Sequence, residues 1–196
     1  MSNTKERLRS RRLGIEEGGD EGFPLIELLV VLLIIGILLA IAIPTFLSVT
    51  KGANNTAAQA NLQTAFTGTT TFYVNANQTY SGIDMGTNPN VSDISQIDVG
   101  VSFVSGTNST GANVVSLATN GNGGALGMAV FSKGTRDCWY ILDLKSVQAP
   151  AIWTETATGT YYGVTTNTTA AACTAGASGV FAAAPTTLQT SGYPAG

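Results

Sequence analysis

The sequence predicts an α+β protein: a long N-terminal α-helix, apolar in its first half and amphipathic in its second, packed on an antiparallel β-sheet of about four strands. Three observations carry that prediction. Residues 23–49 read FPLIELLVVLLIIGILLAIAIPTFLSV, with Glu27 as the only charge. From Ala58 to Ala76 apolar residues recur at intervals of three and four, the period of one helical face. Beyond residue 100, apolar runs alternate with short Gly- and Asn-rich stretches, as strands joined by tight turns do.

The chain begins with a polar leader, residues 1–22. Lys5, Arg7, Arg9, Arg11 and Arg12 come first, followed by Glu16, Glu17, Asp20 and Glu21. No apolar face develops there, so the leader is expected to be solvated. Residues 23–50 form the apolar helix. Apolar side chains appear on all its sides, so it must be covered by lipid or by protein. From Leu28 the uncharged run reaches Thr50, and ~23 residues at the helical rise span roughly 34 Å, enough to cross a bilayer. The Lys/Arg cluster lies just before that span, which places the leader in the cytoplasm and everything after Lys51 outside.

Residues 51–78 continue the helix with one narrow apolar stripe: Ala58, Leu62, Ala65, Phe66, Thr69, Phe72, Tyr73 and Ala76. Gly68 and the Thr69-Thr70-Thr71 run are poor helix formers, so this half needs packing against the head. Its end is expected near Asn77. Residues 79–196 form the head. Candidate strands are 101–105, 113–119, 125–132 and 137–144, and the Asn120–Gly124 and Lys133–Thr135 stretches supply residues suited to hairpin turns. Residues 82–100 read as a loop. In residues 145–196 only Tyr161-Tyr162-Gly163-Val164 resembles a strand.

Composition narrows the function classes. Charged residues make up 11% of the 196-residue chain, against about 25% in soluble domains, so the polar surface rests on Thr, Ser, Asn, Gln and Gly. The net charge is −3, and no basic cluster follows residue 12, which argues against strong nucleic-acid binding. There is no histidine, the commonest general base and metal ligand. Cys138 and Cys173 both follow the span, where oxidation is permitted, and a disulfide is the expected state.

The junction Gly22-Phe23-Pro24-Leu25-Ile26-Glu27 resembles the processing site of type IV prepilins. In that family Gly precedes the cut, an aromatic residue opens the mature chain, and Glu is its fifth residue. Gly36 and Pro44 also lie inside the apolar run where the family has them. The resemblance covers about residues 15–80; beyond that it rests on helix-then-sheet order and a C-terminal cysteine pair. Pro24 departs from the usual Thr or Ser, but near a helix start its missing N–H would lack a partner anyway. The acidic stretch from Glu16 to Glu21 is a second departure, close to the cut.

The resemblance implies a fold of the type IV pilin kind and a subunit with a defined set of partners. A prepilin peptidase cuts after Gly22 and methylates the new amine of Phe23. An assembly ATPase and its platform protein then draw subunits from membrane lipid into a helical homo-oligomer, a surface filament serving adhesion, motility or DNA uptake. Glu27 has an independent rationale. A carboxylate in hydrocarbon costs about 2.5–3.5 kcal/mol, so it needs a partner, and the amine of Phe23 is the cation nearby. Gly36 and Pro44 interrupt helix propensity where neighbouring helices can cover exposed backbone, and a melted segment between them is expected in a filament. Two alternatives stand beside the major subunit: a pseudopilin of a secretion or competence apparatus, and a membrane-anchored extracellular binding module. An ordinary secretory signal, with Ala40-Ile41-Ala42 as the cleavage pattern, fits poorly because that site lies within an unbroken apolar run.

Enzymatic signatures are missing from the sequence: no G-x-S-x-G, P-loop, H-E-x-x-H or C-x-x-C occurs. No cofactor is expected. Asp84, Asp93 and Asp98 do not have the spacing of a calcium loop, and Asp137 and Asp143 are about 20 Å apart along one strand. The aromatics Phe46, Phe66, Phe72, Tyr73, Trp139, Tyr140 and Trp153 are read as packing residues, and Lys133 and Arg136 as a solvated turn.

Overall fold

In the computed structural model, residues 24–83, 100–146, 157–176 and 187–194 are described. The leader, Gly22, Phe23, the Asp84–Asp98 loop and Trp153 lie outside them. Helix α1 covers Leu25–Asn75, and six strands follow: β1 (Ser102–Ser105), β2 (Val114–Thr119), β3 (Ala125–Ser132), β4 (Asp137–Leu144), β5 (Gly159–Thr165) and β6 (Thr187–Gln189), with a 3₁₀ turn at Ala170–Ala172. The chain divides into two compact units, Met1–Thr45 and Phe46–Gly196.

Pro24 stands just outside the first helical turn. Its carbonyl accepts hydrogen bonds from Glu27 N–H (2.9 Å) and Leu28 N–H (3.4 Å), so the proline starts the helix without losing an intrahelical bond. The helix then continues through Gly36 and Pro44. Thr45 Oγ1, one residue past the proline, donates to the carbonyls of Ala42 (2.9 Å) and Ile41 (3.2 Å). At the far end Asn77 takes a positive φ of 55° and Gln78 N–H reaches back to Tyr73 C=O at 2.9 Å, a left-handed termination that asparagine tolerates better than most residues.

In the second unit the sheet order is β1-β2-β3-β4-β5-β6. The two central strands, β3 and β4, are buried along their whole length, because each of their faces has a cover. On one face Leu126, Met128, Val130, Trp139 and Ile141 pack with Ala58, Leu62 and Ala65 of α1. On the other, Ala129, Phe131, Tyr140 and Leu142 pack with Cys173 and Ala175. The strand period of two sorts the side chains between these cores.

The expected sheet needs correction in two respects. It has six strands instead of about four, and it is mixed instead of antiparallel. β1 lies parallel to β2, with Ser102 opposite Val114 and Ser105 opposite Leu117; the other four pairings are antiparallel. Parallel neighbours ordinarily need a long crossover. Here β1 has only four residues, so the short segment 106–113 suffices to return to its start. Ser109 anchors that segment: its N–H donates to Cys173 C=O (2.8 Å), its hydroxyl accepts from Phe131 N–H (2.8 Å), and it is fully buried. The hairpins at 120–124 and 133–136 occur as the turn residues predict. Gly123 is required in the first, since at φ +67° an added Cβ would collide with the Thr79 side chain and lie 2.6 Å from Ser81 N.

Candidate functional site: the exposed apolar helix

Between Leu25 and Val49 every large apolar side chain is exposed, from 44% at Val30 to 79% at Leu25. Fully covering one such side chain is worth about 1.5–3 kcal/mol, so a rod of this length in water is unfavourable by tens of kcal/mol. This part of α1 is long and apolar enough to cross a membrane. Its sequence contains no stripe, and its exposure contains none either. A surface of that kind is satisfied by hydrocarbon on all sides or by like helices on all sides.

Glu27 lies in the first turn of α1, exposed and flanked by Ile26, Val30 and Val31. Its i+3 and i+4 neighbours are both valines, which cannot neutralise it. Phe23 lies outside the described residues. An added Cβ at Gly36 would meet no atom within 4 Å, so among the described residues no contact demands glycine there. Pro44 removes the N–H that would bond four residues back. Among the described residues neither Gly36 nor Pro44 is explained by packing.

Further along α1 the helix is held by polar residues that apolar periodicity did not reveal. Asn55 Nδ2 donates to Asp137 Oδ2 (3.1 Å), while Asn55 Oδ1 accepts from Thr135 Oγ1 (2.6 Å) and the Trp139 indole N–H (3.3 Å). Asp137 is buried. Past the helix end, the Tyr80 hydroxyl donates to the buried carboxylate of Asp143, which also accepts from Thr160 (2.9 Å) and pairs with Lys145 (3.0 Å). Burial first, then the hydrogen bond and charge of Asp143, push the Tyr80 phenol far above its ordinary range. Tyr193 sits edge-on to Trp139 and Tyr162, at 5.6 and 5.1 Å between ring centroids, and its ionisation too is pushed upward, by burial and by Tyr162. A signal for Asn55 did exist: it stands three residues before Ala58, on the line of the apolar stripe, where an exposed asparagine has no place.

Cys138 and Cys173 form a disulfide with Cα atoms 5.5 Å apart. Both are completely buried, so the bond fastens the segment after the 3₁₀ turn onto β4. Asp137 and Asp143 belong to separate clusters at opposite ends of β4, each answered by its own partners. Among the described residues no group of three or more His, Cys, Asp or Glu side chains is placed to hold a metal ion. Comparison of the chain with family models, with curated proteins and with solved structures finds no match.

Proposed function

We propose that the chain is the structural subunit of a type IV pilus-like surface filament. The precursor is inserted in the cytoplasmic membrane, cleaved between Gly22 and Phe23 by a prepilin peptidase, methylated at Phe23, and polymerised through its N-terminal helix by an assembly ATPase and platform protein. The observation that carries this reading is an apolar helical rod, bare on every side, with a single acid in its first turn. Lipid covers the rod before assembly and neighbouring rods cover it afterwards. Pairing of Glu27 with the Phe23 amine of an adjacent subunit would set the register, because that pair removes the cost of a lone carboxylate in hydrocarbon. Gly36 and Pro44 weaken the helix in a region where no contact among the described residues requires them, which suits a segment that lengthens when rods pack.

Mass spectrometry of the membrane and sheared surface fractions tests this reading. A chain beginning at N-methylated Phe23, recovered in fibres visible by electron microscopy, is the expected result. An intact leader on a lone membrane protein would overturn it in favour of an anchored extracellular module, and processed chains confined to short structures within the envelope would point to a pseudopilin. Glu27→Ala is expected to be cleaved normally yet to form few or no fibres. Abundant fibres from that variant would remove the pairing role.

A further inference from the structure

The distribution of positive charge after the leader is uneven. Of the nine Lys and Arg residues in the chain, Lys51, Lys133, Arg136 and Lys145 lie beyond residue 12. Lys145 pairs with Asp143. Lys51 is close to the β3–β4 turn that carries Lys133 and Arg136, and the Lys133 side chain lies against Gly111. The β3–β4 turn lies against α1 at Lys51: a Cβ added to Gly134 would be 3.0 Å from Lys51 Cα and 3.0 Å from the Asn54 side chain. Any Cβ there would make its neighbours give by a few tenths of an ångström.

The turn is fixed there. Thr135 Oγ1 donates to Asn55 Oδ1 at 2.6 Å, and Arg136 C=O accepts from Thr168 N–H at 2.8 Å. Lys51, Lys133 and Arg136 are all exposed, and among the described residues none of them forms an ion pair. Arg136 adopts φ 64°, a conformation that glycine or asparagine takes at lower cost. An arginine there is unfavourable for the backbone, and among the described residues no ion pair of its side chain offsets that cost.

Immediately before Lys51, within the same unit, Phe46, Leu47 and Val49 are 69%, 56% and 71% exposed. Apolar and aromatic surface followed by long cationic side chains is the order of a membrane–water boundary, where the stems lie along hydrocarbon and the charges reach the headgroups. We propose that Lys51, Lys133 and Arg136 form a basic collar that binds the phosphates of anionic lipids at the extracytoplasmic face of the membrane. The collar fixes the depth and tilt of the waiting subunit, and the contact is given up when the subunit is drawn into the filament. This rests on the reading of α1 as a membrane span.

The test uses the full-length chain reconstituted in vesicles of phosphatidylglycerol or of phosphatidylcholine, with amide hydrogen exchange read over residues 131–137. Insertion is scored separately, by resistance to alkaline extraction. Exchange in that segment is expected to be about threefold or more slower in the anionic vesicles, because each cation near an anionic surface gains free energy. The difference should vanish near 1 M salt, where screening acts within about 3 Å, and in the triple variant Lys51→Gln, Lys133→Gln, Arg136→Gln. Those residues are exposed, and an unchanged near-ultraviolet circular dichroism spectrum verifies that the variant is folded. Equal exchange in both vesicles with the chain inserted overturns the collar alone. Failure to insert in either vesicle overturns the membrane span and the collar together. Protection that follows protein density instead of anionic lipid assigns the surface to a second copy of the chain and overturns the lipid proposal.

Discussion

Asn55 serves three partners with one amide, accepting from Thr135 and Trp139 and donating to Asp137. Removing it strands a buried carboxylate and an indole N–H, and an unmade bond of this kind costs about 1–3 kcal/mol. Asn55→Ala is therefore expected to lower the stability of the head by about 2–4 kcal/mol in denaturant unfolding. Phenols give a second residue-level expectation. Burial raises Tyr140 to about 12 from its ordinary 10.0, with a Thr165 hydrogen bond acting the other way, and Tyr80 and Tyr193 shift in the same direction. A phenol whose folded pKa lies above its unfolded one holds its proton longer in the native state. Its stabilising contribution is complete below pH 10 and is lost as pH rises from about 10 through 12. Tyrosinate absorbance at these residues is expected to appear together with loss of the native fold, not before it. At this scale the sequence was least legible. The stripe of α1 showed which helix face would be buried, yet the partners of Asn55 lie 80 to 84 residues away in sequence, beyond the reach of any local pattern.

Elements were more legible where they are long. The runs at 125–132 and 137–144 coincide with β3 and β4, because continuous apolar segments bounded by turn residues have few other ways to satisfy both faces. The helix ends at Asn75, close to the Asn77 expected. The antiparallel hairpins β2–β3 and β3–β4 are as expected, whereas the orientation of β1 and the presence of β6 were missed. β6 has three residues and no periodicity to detect, and the segment that returns β1 alongside β2 is anchored by Ser109 bonding to Phe131 of β3 and to Cys173. The disulfide belongs to this scale as well. With a sequence separation of 35 residues, chain-entropy reasoning gives about 4 kcal/mol for closing the loop. Cys138→Ser with Cys173→Ser is expected to lose about that much stability. In that variant, hydrogen exchange should accelerate first over 169–176.

For the molecule as a whole, burial is divided sharply along α1. Every residue from 24 to 50 is exposed, whereas Ala58, Leu62, Ala65 and Thr69 are buried. The stability of the head thus comes from residues after Lys51. A chain beginning at residue 50 is expected to be monomeric without detergent and to unfold within about 0.5 kcal/mol of the full-length head, the ordinary range for changes at exposed positions. Sedimentation and denaturant unfolding measure both. The full chain should require lipid or detergent, a property legible in the amino-acid sequence because the run is apolar on every side and nearly free of charge. The assembly proposed for that run is a relation between copies, and a single chain displays only the surface that would take part.

The cystine also imposes an order of events. Its two sulfurs lie sealed beneath the rear of the sheet, so they must meet while that side is still open. A ribosome-fresh chain in a reducing compartment keeps the rear unfastened. On the proposed export of the head, closing it falls to the far side of the membrane, and crossing becomes the step that completes the head.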